Sequence, residues 1–223
     1  MFLTKFELNP RRRGAQQLIA SPHAMHAAVL AGFAGGDAGA AHTTEQGRVL
    51  WRLERGEHRW TLLLLSPNTP DLTHLVEQAG WPTTETWHTK PYGQFLGRVA
   101  NGDRYAFRLR ANPVHSLAPE PGEKRGRVLA HVTPAQQAAW LDGQSEKHGF
   151  SIPRAPDHEP LLRVSDRATV SFQRNQKRVT LRQATFDGSL TVTDRDAFSA
   201  ALTHGIGRAK GYGCGLLTLA RER

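Results

Sequence analysis

The order of apolar and polar positions in the first half of the chain predicts strand, helix, two strands, helix and strand. The first helix is predicted to begin after Ser21, which suits an N-cap, with Pro22 at the first helical position. A tight turn at Gly56 and Glu57 joins the two middle strands into a hairpin, and the second helix starts from Thr69 or Asp71 and stops at Gly80. The strands are residues 1–8, 48–55, 58–66 and 84–90, the helices 21–33 and 69–80, the basic connection 9–20, and a loop 35–40.

The second half repeats the same order of elements, although no sequence repeat is visible. Thr133 and Pro134 mark the start of its first helix, and the residues between the two helices predict a hairpin. Residues 126–132 are expected to pair near the first strand. The strands are residues 104–114, 126–132 and 214–221, the hairpin is 167–186, and the helices are 133–150 and 193–205.

This order predicts an α+β protein with two tandem ferredoxin-like (βαββαβ, RNA-recognition-motif-like) domains and antiparallel sheets. The predicted domains are residues 1–98, with the histidine-bearing helix, and 99–223, with a basic hairpin and a glycine-rich loop. A four-stranded sheet of this kind is the scaffold of RNA-recognition modules. A fold alone does not determine a function, so the chemistry of particular residues has to decide.

The charge of the chain is also consistent with an RNA-binding protein. The 223 residues include 29 Lys and Arg against 20 Asp and Glu, a net charge of +9, which favours a polyanionic partner. A basic soluble enzyme remains the alternative. The single cysteine, Cys214, excludes intrachain disulfides and thiolate zinc sites. No apolar run approaches the length of a membrane span, and the N-terminus lacks the order of a secretory signal, so a cytoplasmic protein without membrane contact is expected.

Residues 205–217, GIGRAKGYGCGLL, hold five glycines and suggest a bound phosphate. A dinucleotide fingerprint would need glycine where Lys210 stands, and the loop runs from helix to strand, the reverse of that motif. No cofactor is therefore expected. Gly207, Arg208, Lys210 and Tyr212 suit a nucleic-acid backbone with a base to stack. The alternative, glycines that only end a helix and permit close packing, stays open.

A second basic feature is the predicted hairpin. Six basic residues and one acidic residue, Asp166, lie between positions 163 and 182, while Val170 and Phe172 alternate with polar residues and are expected to face the core. The surplus of charge favours a phosphate-binding face, although charged edge strands are also common. The six basic residues are Arg163, Arg167, Arg174, Lys177, Arg178 and Arg182.

The candidate catalytic residues are His23 and His26, three apart on one helix face and within two turns of the helix N-terminus. The helix dipole there attracts phosphate and favours a neutral imidazole that can act as a base. Histidine can take a proton from a ribose 2′-OH or protonate a leaving 5′-oxygen at neutral pH. Packed core histidines are the alternative, and zinc is disfavoured because no third ligand is near.

The chain resembles the CRISPR-associated endoribonucleases of the CasE type, the RNA-processing subunits of type I-E systems. The resemblance lies in SPHAMH, GDRYAFRLRANPV, HVTPAQQAAWL and the segment from residue 187 to 221. It implies metal-independent cleavage at the base of a CRISPR repeat hairpin, leaving 2′,3′-cyclic phosphate and 5′-hydroxyl ends. It also implies retention of the mature crRNA within the Cascade complex, whose other subunits are then partners.

The resemblance also implies roles for particular residues. His26 matches the family's catalytic histidine, whereas His23 stands where a tyrosine is common. Residues 174–178 match the element that enters the major groove of the RNA stem. Arg11, Arg12, Arg13 and Lys210 are candidates for stabilising the transition state. An RNA-hairpin-binding module without catalysis and a metabolic enzyme for a small phosphorylated substrate are the competing hypotheses.

Overall fold

The computed structural model describes residues 1–33, 43–81, 87–119 and 126–222. Its first half contains a four-stranded antiparallel sheet in the order β4-β5-β1-β6. Three helices accompany this sheet, and β2 and β3 form a separate two-stranded ribbon. The elements are β1 (Phe2–Leu8), α1 (Arg13–Ala20), α2 (Pro22–Leu30), β2 (Thr43–Thr44), β3 (Gly47–Arg48), β4 (Leu50–Glu54), β5 (Trp60–Ser66), α3 (Thr73–Ala79) and β6 (Trp87–Pro91).

The second half repeats this topology, with the strand order β11-β12-β7-β13 and a short β10 beside the end of β12. In both halves the first strand lies between the third and the fourth, so the predicted tandem ferredoxin-like α+β fold is confirmed. The elements are α4 (Gly93–Leu96), β7 (Arg104–Ala111), β8 (Val114–Ser116), β9 (Val128–Ala130), α5 (Pro134–Ser145), β10 (Phe150–Ser151), β11 (Leu162–Arg174), β12 (Lys177–Val192), α6 (Arg195–His204) and β13 (Leu217–Arg221), with 3₁₀ turns at Glu146–His148 and Lys210–Tyr212.

Local sequence signals explain most helix starts. The Ser21 side chain accepts a hydrogen bond from the Ala24 amide, with Pro22 following as predicted. Thr133 and Gln136 form a capping box at the start of α5, which satisfies two backbone donors that would otherwise lack partners. The predicted cap of the second helix at Thr69 or Asp71 is wrong: the N-cap residue of α3 is Leu72, whose side chain makes no capping hydrogen bond. The Asp71 carboxylate just before it accepts a hydrogen bond from the Thr73 amide.

One prediction about connections is wrong. Residues 9–20 include a helix, α1, because Ala15 and Leu18 lie three apart and bury one face against the first core; the three arginines obscured that spacing. Residues 128–130 do pair near the strand predicted at 104–114, since their partners are Val114–Ser116 at its end, but the two segments form a separate ribbon outside the main sheet. The predicted loop 35–40 and the start of the strand predicted at 84–90 lie outside the described residues.

Each half has its own apolar core, and a third cluster lies where the halves meet. Leu50 and Leu65 of the first sheet pack with Leu216 of the second half, and all three are buried. Beside them Arg52, only 3% exposed, donates hydrogen bonds to the carbonyls of Arg108 and Leu216. The halves are therefore joined by both apolar packing and a buried guanidinium.

The predicted division after residue 98 remains a prediction; it falls between α4 and β7, in the segment that connects the two sheets. In the described part of the chain, no helix has both the length and the apolar character needed to cross a membrane.

Candidate functional site

Both candidate catalytic histidines lie on α2, which is held in place from two sides. Met25 and Val29 of α2 are buried in the core of the first half. On the α3 side, the His74 ring forms a 2.8 Å hydrogen bond with the Ala28 carbonyl. His23 is exposed and His26 is half-buried, so neither belongs to the core proper, and both face the second half of the chain.

His26 lies against the glycine-rich loop of the second half. A Cβ placed on Gly211 would be only 3.2 Å from Nε2 of His26, closer than ordinary van der Waals contact. The Tyr212 ring lies edge-on to the imidazole, with ring centroids 6.1 Å apart. The loop and the histidine helix are separated by some 180 residues in sequence, and only the tertiary fold brings them together.

His23 faces the basic hairpin. Its ring is stacked on that of Phe172, with centroids 6.5 Å apart and planes inclined by 6°. Phe172 in turn contacts Tyr212 at a centroid distance of 4.7 Å. We call these four side chains, His23, His26, Phe172 and Tyr212, the aromatic cluster; it joins one helix of the first half to two elements of the second.

The aromatic cluster corrects the expectation that Val170 and Phe172 face the core of their own domain. Phe172 is 8% exposed, but it is covered by α2 and Tyr212 and not by the core of the second half. The sheet of β11 and β12 extends beyond that core, so its apolar face there packs against α2 of the first half and Tyr212 of the glycine-rich loop. The alternation of apolar and polar residues along the hairpin predicted which side chains turn inward. It could not predict which element they pack against.

Geometry accounts for each glycine of the loop. Gly205, Gly207, Gly213 and Gly215 have φ between +76° and +90°, a region that residues with a Cβ rarely adopt. At Gly213 a Cβ would also lie 2.7 Å from the Trp51 ring. Gly211 has no positive φ, and its missing side chain makes room for His26. The alternative that the glycines serve chain geometry and close packing therefore accounts for all five of them. It does not account for the side chains of Arg208, Lys210 and Tyr212, which make separate contacts.

The cations of the hairpin are all at the surface. Asn175 and Gln176 both have positive φ and make the tight turn at its tip. Arg163 lies opposite Asp187 in the strand register, and the Arg182 amide donates to the Asn112 side chain. The exposed basic side chains of the hairpin are Arg163, Arg167, Arg174, Lys177, Arg178 and Arg182.

The three N-terminal arginines differ from one another. Arg11 and Arg13 are exposed at the start of α1. Arg12 instead donates hydrogen bonds of 3.0 Å to the Val76 and Gly80 carbonyls, and it also contacts the Glu77 carbonyl. The Val76 carbonyl also accepts from the Gly80 amide, whereas the last carbonyls of a helix have no donor further along it, so Arg12 acts as a C-terminal cap of α3.

The two cations of the glycine-rich loop also differ. Arg208 is exposed, and its guanidinium donates a 2.9 Å hydrogen bond to the Ser116 hydroxyl of β8. Lys210 is half-buried; burial lowers its pKa, and the charges of Arg48 and Lys147 lower it further. A Cβ added to Gly207 would lie 3.1 Å from the Trp140 ring of α5.

A cleft of about 70 Å³ opens beside the aromatic cluster, between the two halves. Tyr212 and Val170 line it from the second half, and Met25 and Trp51 line it from the first. The sequence did not predict that Trp51 lines this cleft or that Phe172 belongs to the aromatic cluster, because each has the pattern of an ordinary core residue in its own strand. In the described ranges, no three His, Cys, Asp or Glu side chains come together as a metal-binding group.

The fold and the site together define a class of protein: a pair of RNA-recognition-like domains with a histidine helix at their junction and a strongly basic hairpin beside it. The family model described as CRISPR associated protein matches residues 1–221. The chain belongs to this family, and the resemblance stated from the sequence is confirmed.

The chain is similar to proteins of known activity. It is 31% identical to the CRISPR-associated endoribonuclease Cse3 of Thermus thermophilus, over 99% of this chain and all of that protein. It is 32% identical to the CRISPR system Cascade subunit CasE of Escherichia coli, over 69% of this chain and 77% of that protein. A solved structure of Cse3 bound to a 19-nucleotide RNA matches with a TM-score of 0.81 and 30% identity, over 99% of this chain and 100% of that one.

Proposed function

We propose that this protein is an endoribonuclease that cleaves CRISPR precursor RNA at the base of the repeat hairpin without a metal ion and retains the mature crRNA as a Cascade subunit in the cytoplasm. The observation that carries the proposal is the position of His26, half-buried at the junction of the two halves and in contact with Gly211. Family membership and similarity to the endoribonuclease Cse3 and the Cascade subunit CasE support the substrate and the complex.

The chemistry needs one base and one acid. The base takes the proton from a ribose 2′-OH, the freed oxygen attacks the adjacent phosphorus, and the bond from phosphorus to the 5′-oxygen breaks. The acid then protonates that oxygen, leaving a 2′,3′-cyclic phosphate and a 5′-hydroxyl. His26 serves as one of these two groups, and the exposed His23, stacked on Phe172, is the candidate for the other or for a phosphate contact.

The surrounding cations suit the rest of the substrate. Arg174, Lys177 and Arg178 project from the hairpin tip, where phosphates of an RNA stem would neutralise them. Arg11 and Arg13 at the start of α1 and Arg208 in the glycine-rich loop are further exposed cations. Arg12 does not enter the proposal as an RNA contact, because its guanidinium is engaged by the α3 carbonyls.

The test is the variant His26→Ala, assayed in single turnover with saturating repeat RNA. We expect the cleavage rate to fall by about 10²–10⁴-fold, the usual contribution of a general acid or base, with RNA affinity nearly unchanged. The matched control is His58→Ala, which removes a histidine whose side chain is 77% exposed on the β4–β5 loop. Cleavage by His26→Ala at the rate of the control would overturn the assignment.

Two changes to the assay separate catalysis from binding alone. A 2′-deoxy substitution at the scissile nucleotide removes the attacking oxygen, so it should block cleavage and leave binding intact. EDTA should leave the rate unchanged, whereas strict dependence on Mg²⁺ would argue against the mechanism. Binding without any cleavage of the unmodified RNA would favour an RNA-hairpin-binding module instead.

A further inference from the structure

Besides Lys210, three basic side chains with no role so far lie in segments near the glycine-rich loop. Three segments carry them: β3 of the first half, and the 3₁₀ turn after α5 and the loop itself in the second half. All three segments lie against α6 or continue from it. The side chains are Arg48, Lys147, His148 and Lys210; we call them the basic cluster.

Backbone contacts position these segments. A Cβ on Gly47, next to Arg48, would lie 2.9 Å from the Thr203 carbonyl in the last turn of α6. A Cβ on Gly149, next to His148, would lie 2.2 Å from the Asp194 carbonyl at the start of α6. The loop that carries Lys210 follows α6 directly, and the Lys210 stem packs on Gly215. The C-terminal end of α6 therefore places Arg48 of the first half beside the loop that carries Lys210, and its N-terminal end holds the turn that carries Lys147 and His148.

The members of the basic cluster affect one another. Burial lowers the pKa of Lys210, and the nearby charges of Arg48 and Lys147 lower it further. Burial also lowers the pKa of His148, opposed by its hydrogen bond with the Gln144 carbonyl, and the charges of Lys147 and Lys210 add to the lowering. Like charges held this close in a partly desolvated place destabilise one another.

The described part of the protein provides no salt bridge that would offset this repulsion. No carboxylate there forms a salt bridge with Arg48, Lys147 or Lys210, whereas other cations such as Arg108 and Arg154 have such partners. The Nε atom of Arg48 is buried and has no hydrogen-bond partner. A buried donor without a partner is costly, and an anionic ligand with several acceptor oxygens would satisfy it and neutralise the charge.

We propose that Arg48, Lys147, His148 and Lys210 form a phosphate-binding subsite, shared by the two halves, that receives a backbone phosphate of the RNA near the one at His26. The inference rests on the proposed function, because it takes the RNA substrate as the source of the phosphate. Lys210 immediately precedes Gly211, which contacts His26, and adjacent Cα atoms are about 3.8 Å apart. A strand with one phosphate at His26 therefore has others within reach of the basic cluster.

The experiment measures binding of a non-cleavable repeat hairpin, 2′-deoxy at the scissile nucleotide, across a range of salt concentrations. Lys147→Gln removes one exposed cation of the cluster, and its control, Lys90→Gln, removes the same charge from the exposed edge strand β6. We expect Lys147→Gln to weaken binding about tenfold and to reduce the salt slope by about one. Lys90→Gln should change neither.

A second variant shows whether the two halves share one phosphate. Arg48→Gln alone should weaken binding to a similar degree, and the double variant should lose less than the product of the two single losses, because both side chains contact the same group. Losses that multiply fully would contradict a shared subsite. Unfolding temperatures of all variants establish that each protein is folded under assay conditions.

The outcomes separate the subsite from the proposed function. If the wild-type protein binds and cuts the repeat RNA while Lys147→Gln and Arg48→Gln behave like Lys90→Gln, the subsite alone is overturned. If the wild-type protein neither binds nor cuts, both proposals fail. If inorganic phosphate raises the unfolding temperature of the wild type but not of Lys147→Gln, and RNA binding is equal in both, the cluster binds free phosphate and its assignment to RNA is wrong.

Discussion

Gly211 places the backbone of the second half against the imidazole of His26 in the first. The other four glycines of the loop need their positive φ angles for the path of the chain, so substituting them would strain the backbone. Gly211 has no such requirement. An alanine there tests only the close approach to His26, which makes it the informative residue of the loop.

We expect Gly211→Ala to slow cleavage about tenfold, because its Cβ would press on Nε2 of His26 from 3.2 Å and small displacements of a catalytic group are costly. RNA affinity and unfolding temperature should change little. Single-turnover rates measure the effect. The control is Gly143→Ala on α5, where an added Cβ meets nothing within 4 Å. Equal rates for the two variants would show that the approach to His26 is not critical.

At the scale of elements, the hairpin of β11 and β12 has two separate tasks. Its tip is exposed and basic, and it turns at two residues with positive φ. Further along, Phe172 packs between His23 and Tyr212. The hairpin therefore both extends a charged tip toward solvent and completes the aromatic cluster, and the two tasks are separable by mutation.

The triple variant Arg174→Gln, Lys177→Gln and Arg178→Gln removes the tip charges without touching Phe172. We expect weaker RNA binding at all salt concentrations and a salt slope reduced by roughly two to three, about one for each lost phosphate contact. The cleavage rate at saturating RNA should be preserved, because the aromatic cluster is intact. The control is a triple variant in which glutamine replaces Lys5, Lys90 and Arg195 instead. An equal change in the salt slope of RNA binding for the two triple variants would rule out a specific role for the hairpin tip.

At the scale of the whole molecule, function depends on how the two halves are held together. His26 is in the first half and Gly211, Tyr212 and the hairpin are in the second, so any rotation between halves would open the site. Arg52 holds the interface: besides two carbonyls it bonds the Thr218 hydroxyl and the Glu54 carboxylate. Burial lowers the pKa of Arg52, and the charge of Glu54 opposes this.

We expect Arg52→Met to lower the free energy of unfolding by roughly 3 kcal/mol, because it removes the donor to the buried Leu216 carbonyl and the cation beside the Glu54 carboxylate. That loss corresponds to a drop in unfolding temperature on the order of 10 °C for a chain of this size. Arg59→Met is the control, since its exposed ion pair with Glu7 and its contact with the Trp81 ring each contribute about 1 kcal/mol or less. Equal unfolding temperatures for the two variants would refute a structural role for Arg52.

The sequence by itself determined the order of elements, both ferredoxin-like halves and the helix that carries His23 and His26. These follow from short-range causes: alternating apolar positions, the caps at Ser21 and Thr133, and the turn at residues 175–176. Residue spacing also excluded a nucleotide cofactor motif in the glycine-rich loop. Two helices were not predicted: α1, whose short apolar repeat lies behind three arginines, and α4, which has only four residues.

Only the tertiary structure decided which element packs against each face of a strand or helix. Phe172 and Trp51 look like core residues in their strands, yet they line the junction of the halves. Arg12 looks like an RNA contact, yet it caps α3. The basic cluster joins residues 48, 147 and 210, which no local pattern relates. Contacts between elements far apart in sequence depend on how the two sheets and their helices pack. No single segment of the chain determines that packing.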